Sequence, residues 1–357
     1  MPRRPILGVT MGDPAGIGPE IAVKTLLNPE IRGICRPLLI GDAGAMRTAA
    51  RDIVKIGCEI NAVSGVGQMR DLPGTLDVLD LACLDMGKFA LGRVSAQCGE
   101  AAFRSVAKAI ELALAGKIQA TVTNPLNKEA LNLAGRHYAG HTEIYASLTG
   151  AKNYAMLLMG EKLRVIHATT HVPLREVPGR LTRERILAVI RLGEAAMRKF
   201  GLARPRLVLA GLNPHAGENG LFGREEIEII GPAAAEARAG GLDVTGPLPP
   251  DTVFAKALGG AFDLVVAMHH DQGHIPLKLL SFKYDAEQDA WSDMLGVNIT
   301  LGLPVIRASV DHGTAFDQAG KNRANPNSLI YAIKCAAELA GNAPPDPAKG
   351  PDGDRGR

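Results

Sequence analysis

The chain has 357 residues, 46% of them hydrophobic and 22% charged, so it is long enough for two globular domains and too apolar to be disordered throughout. The formal net charge is only +3, and no basic run is longer than Arg3-Arg4. We therefore expect no nucleic acid and no membrane among its partners, because both need an extended basic or apolar surface. Aromatic residues, at 4%, are also too few for a base-stacking surface.

The amino-terminal segment and the cysteines indicate a cytoplasmic protein. The apolar stretch before Asp13 is too short for a signal peptide, and no apolar run is long enough to span a membrane. The five cysteines are odd in number, widely spaced and free of CxxC pairs. This pattern predicts reduced thiols without disulfides.

Short apolar runs that end in turn-forming residues recur along the chain and are typical of strands buried on both faces of a parallel sheet. They occupy residues 6–11, 37–40, 120–123, 154–159, 163–168, 206–210, 264–268 and 305–310. Helical periodicity separates several runs, most clearly at 95–115 and 182–200, where Thr182 can cap the start and Gly201 the end. Alternating strands and helices predict an α/β fold. Residues 341–357 contain no large apolar anchor, which predicts a disordered tail.

All nine histidines lie between positions 137 and 312, and three of them follow predicted strands. His171, His215 and His270 each come just after a strand, and ligands of open α/β sheets bind at the carboxyl ends of strands. Three such imidazoles favour an open metal site. Ordinary hydrogen-bonded loop histidines are the alternative, because HExxH and CxxC are both absent. Structural or loop positions are predicted for His137, His167, His269 and His274.

Candidate anion-binding segments occur where no standard nucleotide motif is found. GxGxxG and GxxxxGK are both absent. The glycine-rich turn at 12–20 is either a ligand-free strand-to-helix turn or an anion site. The GHTE segment at 140–143 brings a hydroxyl, an imidazole and turn amides to a helix start, which suits phosphate or carboxylate. Arg307 lies inside an apolar strand and needs either an anionic ligand or a structural salt bridge, and Lys278 adds positive charge.

Several long segments resemble the 4-hydroxythreonine-4-phosphate dehydrogenase family, over the chain up to about residue 340. They are TMGDPAGIGPEI at 10–21, TNPLNKEALNLAG at 123–135, GHTE at 140–143, LNPHAGENGLFGREE at 212–226, AMHHDQGHIPLK at 267–278 and VNITLGLPVIRASVDHGTAFDQAGK at 297–321. The family is grouped with the isocitrate and isopropylmalate dehydrogenases. The resemblance implies two α/β/α domains with a cleft between them. Residues 1–130 and 300–340 would form the first domain, with the NAD loop, and 131–299 the second, with the metal and substrate residues.

Carried over position by position, the resemblance also implies site residues. A divalent metal (zinc, magnesium or cobalt) would be held by His171, His215 and His270, with His270 supplied by the other subunit of a homodimer. The phosphorylated substrate would be held by His141, Thr142, Lys278, Asn298 and Arg307. NAD would lie on the loop that contains His312, Gly313, Thr314, Ala315 and Asp317. Lys278, as proton donor or phosphate anchor, and Asp251, as an orienting group, are the candidate catalytic residues.

The implied reaction is the NAD-dependent, metal-assisted oxidation of the 3-hydroxyl of 4-hydroxythreonine-4-phosphate, with decarboxylation to 3-amino-2-oxopropyl phosphate in vitamin B6 biosynthesis. Two departures from the family pattern limit the assignment of the substrate. Residues 279–296 are longer than the matching segment of typical biosynthetic members, and His269 stands where tyrosine is usual. The segments HDQGHIPLKLL and NPHAGENGLFG are also more similar to a paralogous branch that oxidises 4-phospho-D-threonate or 4-phospho-D-erythronate in sugar-acid catabolism. A metal-dependent, non-redox enzyme acting on a phosphorylated acid is the remote alternative, since metal and phosphate groups alone do not specify redox chemistry.

Overall fold

The computed structural model describes residues 4–287 and 290–342. Within them the strands are β1 (Ile6–Thr10), β2 (Arg36–Gly41), β3 (Glu59–Val63), β4 (Thr75–Asp80), β5 (Ala120–Thr123), β6 (Ala155–Met159), β7 (Arg164–His167), β8 (Leu207–Ala210), β9 (Val244–Leu248), β10 (Leu264–Ala267), β11 (Phe282–Asp285), β12 (Ala290–Met294), β13 (Val297–Leu301) and β14 (Arg307–Val310).

The helices are α1 (Gly18–Leu26), α2 (Pro29–Ile34), α3 (Ala43–Thr48), α4 (Ala96–Leu114), α5 (Lys128–Leu133), α6 (His141–Thr149), α7 (Val177–Arg180), α8 (Arg183–Lys199), α9 (Gly231–Ala239), α10 (Pro250–Leu258), α11 (His270–Ser281) and α12 (Asn327–Gly341). None of the described helices is long and apolar enough to cross a membrane. The five cysteines all lie within the described residues and are free.

A mixed sheet of twelve strands runs through the described residues in the order β3-β4-β2-β1-β5-β14-β13-β6-β7-β10-β8-β9. Its outer parts are parallel, and its centre is antiparallel from β14 through β13 and β6 to β7. The α/β fold class is thereby confirmed. The prediction of parallel strands is wrong for β6, because the short turn to β7 at 160–163 makes that pair a hairpin, whereas parallel neighbours need a long crossover.

The two helices predicted most clearly are confirmed, with their caps. The Ser95 side chain accepts a hydrogen bond from Cys98 N at the start of α4, and Thr182 accepts one from Arg185 N at the start of α8. Gly201 follows α8 with φ +83°, a left-handed conformation that glycine adopts without strain. Both helices bury one apolar face and leave the opposite face exposed.

Some elements gave no clear signal in the sequence. Strand β3, at the sheet edge, alternates exposed and buried residues, and β13 interrupts its apolar residues with Asn298 and Thr300. The predicted tail begins too early, because Gly341 ends α12 and Asn342 caps it. Residues 343–357 of that tail lie outside the described residues. The boundary between the two proposed domains stays a prediction.

Candidate active site

The three candidate metal ligands leave the same edge of the sheet. His171 follows β7, His215 follows β8, and His270 begins α11 after β10. Strand β10 lies between β7 and β8 and is parallel to both, so all three carboxyl ends point the same way. The predicted placement of these histidines at neighbouring strand ends therefore matches the topology of the chain.

Each of these imidazoles has a carboxylate opposite its Nδ1 atom. The pairs are His171 with Glu143 Oε1 at 3.7 Å, His215 with Glu218 Oε1 at 3.1 Å and His270 with Asp271 Oδ1 at 2.6 Å. In the His215 and His270 pairs the carboxylate oxygen accepts a hydrogen bond, which places the ring proton on Nδ1 and leaves the Nε2 lone pair free. The 3.7 Å between His171 and Glu143 is too long for a hydrogen bond. An orienting carboxylate on one nitrogen is the usual arrangement of a histidine that binds a metal through the other.

A single chain brings two of the three rings together. The ring centroids of His171 and His270 are 5.7 Å apart. The His215 ring instead contacts Phe222, at a centroid distance of 6.5 Å. Among the described residues, no group of three or more histidine, cysteine, aspartate or glutamate side chains is placed to hold one metal ion.

His215 lies in a turn with an unusual backbone. Residues 215–219 all have positive φ, from 44° to 82°, so a stretch that includes four non-glycine residues is left-handed. Such a conformation is strained for L-residues and has to be held by its surroundings. The buried Glu226 carboxylate does this by accepting hydrogen bonds from Leu212 N, Asn213 N and Asn213 Nδ2 at 2.7 to 3.0 Å.

Gln272 connects the loops that carry His215 and His270. Its Oε1 accepts a hydrogen bond from Met268 N, and its Nε2 donates one to Gly211 O, both at 2.7 Å. The amide therefore fixes the distance between the ends of β8 and β10. Sequence reasoning missed both Gln272 and Glu226, although each belongs to a motif that had been singled out.

Arg307 lies on β14 and is buried. Its guanidinium donates to Thr300 Oγ1 at 2.9 Å and Thr123 Oγ1 at 3.0 Å, while its Nε is buried and unpartnered. Among the described residues no carboxylate forms an ion pair with it, so the structural salt bridge considered from the sequence is absent there. Burial lowers its pKa to about 10. A buried guanidinium of this kind is stabilised by binding an anion.

The start of α6 lies beside this guanidinium. His141 Nε2 is buried without a hydrogen-bond partner, and its pKa is well below the usual range because of burial and the neighbouring Arg307 charge. Asn298 Oδ1 on β13 is another buried, unpartnered polar atom. Thr142, the second residue of α6, is half-buried. Glu143, which sequence reasoning did not identify as a histidine partner, links this helix start to His171.

Lys278 and Asp251 lie on separate helices. Lys278 Nζ, on α11, lies 3.5 Å from Asp311 Oδ2 and 5.1 Å from the centroid of the Phe282 ring. Burial raises the pKa of Asp311, and Lys278 partly opposes that shift. Asp251 lies in the first turn of α10 and is exposed. The lysine therefore has a fixed acidic partner at the site, whereas Asp251 faces solvent.

The glycine-rich turn at 12–20 packs against the loop predicted to carry the dinucleotide. Ile17 N donates to Thr314 O at 3.0 Å, and a Cβ on Gly16 would lie 2.7 Å from that oxygen. Within the loop, His312 Nδ1 bonds Gly313 O at 3.0 Å, and its Nε2 is buried and unpartnered. Ala315 has φ +43°, and Asp317 is exposed. Glycine at position 16 is thus explained by a close approach of two backbones.

Comparison with known proteins supports the resemblance read from the motifs. Residues 33–336 match the family model described as pyridoxal phosphate biosynthetic protein PdxA. The D-threonate 4-phosphate dehydrogenase of Salmonella typhimurium is 48% identical over 335 residues, 94% of this chain and 98% of that protein. The 4-hydroxythreonine-4-phosphate dehydrogenase of Desulforapulum autotrophicum is 46% identical over 336 residues, 94% and 95% of the two chains.

A solved structure extends the similarity to the whole fold. The crystal structure of 4-hydroxythreonine-4-phosphate dehydrogenase from Klebsiella pneumoniae matches with a TM-score of 0.82 at 46% identity, covering 94% of this chain and 99% of that one. The family predicted from the sequence is therefore confirmed. The chain belongs to the PdxA family of pyridoxal phosphate biosynthetic proteins.

Proposed function

We propose that this protein is an NAD-dependent, divalent-metal-assisted dehydrogenase that oxidises the 3-hydroxyl of 4-hydroxythreonine-4-phosphate, with decarboxylation to 3-amino-2-oxopropyl phosphate. The observation that carries the proposal is the start of α6. There His141 adjoins Arg307, which forms no ion pair among the described residues, and Glu143, two residues later, faces His171. One helix start therefore connects the proposed phosphate subsite with a proposed metal-ligand histidine.

The phosphate subsite is formed by groups of the chain itself. Arg307 supplies the fixed charge, and the first amides of α6 together with the Thr142 hydroxyl supply hydrogen-bond donors. His141 and Asn298 contribute buried polar atoms that have no hydrogen-bond partner among the residues that the structure describes. These groups hold the substrate so that its C3 hydroxyl faces the histidine cluster.

The residues present fit both proposed cofactors. The imidazoles of His171, His215 and His270 suit a divalent metal such as zinc, cobalt or magnesium, and hydrogen bonds from Nδ1 to a carboxylate orient the rings of His215 and His270. The close approach of Gly16 to Thr314 and the unpartnered His312 Nε2 suit NAD at the 312–317 loop. When bound, the metal favours ionisation of the substrate hydroxyl and the nicotinamide accepts the hydride.

Lys278 is proposed to handle the proton of the decarboxylation step or to anchor the phosphate. Its ammonium lies 3.5 Å from Asp311 Oδ2, just after β14, and 5.1 Å from the centroid of the Phe282 ring. Asp251 is proposed as an orienting group. The site is proposed to be completed across a homodimer, with His270 supplied by the partner subunit. Within one chain it is the His270 ring, and not that of His215, that lies near His171, so this part of the proposal rests on the family resemblance alone. A cytoplasmic location and the two-domain division belong to the same proposal.

The second candidate substrate is 4-phospho-D-threonate, or its erythronate isomer. It is favoured by the relative of that name in Salmonella typhimurium and by the hairpin of β11 and β12, which follows Lys278 directly. The two substrates share the phosphate, the 3-hydroxyl and the carboxylate, and they differ at C2. The same residues would serve either reaction, and the hairpin is proposed as the segment that distinguishes the two substrates.

An assay of NAD reduction with divalent metal tests the proposal. We expect 4-hydroxythreonine-4-phosphate to be oxidised, with turnover abolished by a chelator and restored by added metal. A preference for 4-phospho-D-threonate at matched concentration would establish the second candidate. Turnover that is insensitive to chelation would refute the metal, and no reduction of NAD with either substrate would favour the non-redox alternative.

A further inference from the structure

The imidazole rings of His270, His274 and His167 form a cluster at the end of β7. The ring of His274, one helical turn after His270, lies almost parallel to it, with centroids 3.7 Å apart and planes at 12°. His274 also contacts His167, at a centroid distance of 4.8 Å and 42°, and the centroids of His167 and His270 are 6.5 Å apart. Both His274 and His167 are buried. His274 therefore lies between a candidate metal ligand and the end of β7, where a loop residue had been predicted.

Hydrogen bonds to backbone carbonyls orient two rings of this cluster. His274 Nδ1 donates to His270 O at 3.0 Å, and His167 Nδ1 donates to Met156 O at 3.2 Å. Because a carbonyl oxygen only accepts, the proton of each neutral ring lies on Nδ1. The rotation of both rings about their side-chain bonds is thereby restricted, and the flat face that His274 presents to His270 has a defined orientation.

Helix α11, which contains His270 and His274, approaches strand β7 closely at Gly273. A Cβ on Gly273 would lie 2.4 Å from His167 Nε2 and 2.6 Å from Val165 Cγ1. Any larger residue would have to push the first turn of α11 away from β7 or displace the buried His167 ring. Gly273 and the stacked rings of His270 and His274 are independent features. The glycine sets the distance between the first turn of α11 and β7, and the stacking sets the plane of the His270 ring.

We infer that His274 is a positioning residue for His270, holding the ring plane so that its Nε2 points toward the metal. The inference rests on the proposed metal assignment of His270. A merely space-filling role would be met by any apolar side chain of similar volume, whereas a positioning role requires a flat ring at 3.7 Å. The two roles therefore differ in what a leucine and a phenylalanine do at position 274.

The test is Co²⁺ binding by the full chain, measured by calorimetry and by the visible absorption of the bound ion. We expect His274→Leu to weaken Co²⁺ binding about tenfold or more and to shift the absorption, as is usual for groups that orient metal ligands. His274→Phe keeps a flat ring and should stay within about threefold of the wild-type affinity. His137→Leu, at an exposed histidine bonded to Asn132, is the matched control and should leave binding unchanged.

Thermal denaturation of each variant separates positioning from packing. Weak Co²⁺ binding by His274→Leu with recovery in His274→Phe supports the inference. Wild-type Co²⁺ affinity and absorption in His274→Leu would overturn the inference. Equal weakening of Co²⁺ binding in His274→Leu and His274→Phe, with an equally lowered Tm, would also overturn it, because it would show a packing role. His270→Ala distinguishes this failure from that of the metal assignment. Unaltered Co²⁺ binding in His270→Ala would refute the assignment itself and the inference with it.

Discussion

At the residue scale, the most informative group is a buried arginine that forms no ion pair with any carboxylate of the described residues. Arg307 is fixed by two threonine hydroxyls on neighbouring strands, so its position is set before any ligand binds. Preorganised charge of this kind binds an anion without the cost of ordering a flexible side chain. The sequence indicated that Arg307 needed an anionic partner, and the structure shows that the described residues do not supply one.

Arg307→Lys is expected to raise the KM for the phosphorylated substrate by about tenfold or more, with the fold retained. A lysine keeps the charge but loses the planar fork that contacts both hydroxyls. Steady-state kinetics with the preferred substrate measure the change. Arg183→Lys, at an exposed pair with Glu236, serves as the control and should behave as the wild type. An unaltered KM in Arg307→Lys would remove the guanidinium from the phosphate subsite.

Asp13 gives a prediction about pH. Burial raises its pKa from 3.8 to about 6, although the carboxylate accepts a hydrogen bond from Ala15 N. Between these values the folded chain keeps a proton that the unfolded chain has lost, so this residue lowers stability as pH rises from about 4 to about 6. Asp13→Asn should gain stability relative to wild type across that interval, by about 2 to 3 kcal/mol in total.

Chemical denaturation at several pH values between 4 and 7 measures this difference. The asparagine oxygen can keep the bond to Ala15 N, so the change with pH isolates the charge. Asp52→Asn, at a fully exposed carboxylate, should show no such rise in relative stability. A difference between Asp13→Asn and wild type that does not vary with pH would contradict the assigned cause.

At the element scale, the left-handed turn at 214–220 shows how a buried carboxylate maintains a strained segment. Residues 215–219 adopt a backbone conformation that costs free energy at each non-glycine position. Glu226 compensates by collecting three N–H donors of residues 212–213, immediately before the turn. The backbone that leads into His215 is therefore held by a residue on a different element, eleven positions after His215 in the chain.

Glu226→Gln is expected to lower the free energy of unfolding by about 1 to 3 kcal/mol, because its amide places a donor against a donor at Asn213 Nδ2. It should also weaken metal binding, since His215 loses its fixed position. Thermal denaturation and Co²⁺ calorimetry measure the two effects. Glu228→Gln, at an exposed pair with Arg224, is the control for charge loss and should change neither. Wild-type values for Glu226→Gln would show that the turn is held by other contacts.

At the scale of the whole molecule, the question is which chains supply the three imidazoles. If His270 comes from the partner subunit, a mixed dimer of His171→Ala and His270→Ala contains one intact and one doubly altered site. Each variant alone should be inactive. Random mixing should then restore about a quarter of the wild-type activity, because half of the dimers are mixed and each has one working site.

The mixing experiment also detects the opposite arrangement. If His171 and His270 of one chain bind the same ion, as their 5.7 Å ring separation within a chain would allow, no mixed dimer of these two variants has an intact site. Activity would then stay absent in the mixture. A mixture of His215→Ala and His171→Ala, whose ligands would share one chain in the proposed arrangement, is the matched control and should stay inactive.

The sequence by itself determined the family, the helices α4 and α8 with their caps, and most of the buried strands. These properties depend on residues close together in the chain, such as continuous apolar runs, capping side chains and long motifs. Only the tertiary structure decided the antiparallel centre of the sheet and the carboxylate opposite His171. It also decided the absence of an acidic partner for Arg307 among the described residues and the contacts of His274 with His270 and His167. Each of these depends on which distant segments lie side by side, and local periodicity does not specify that pairing.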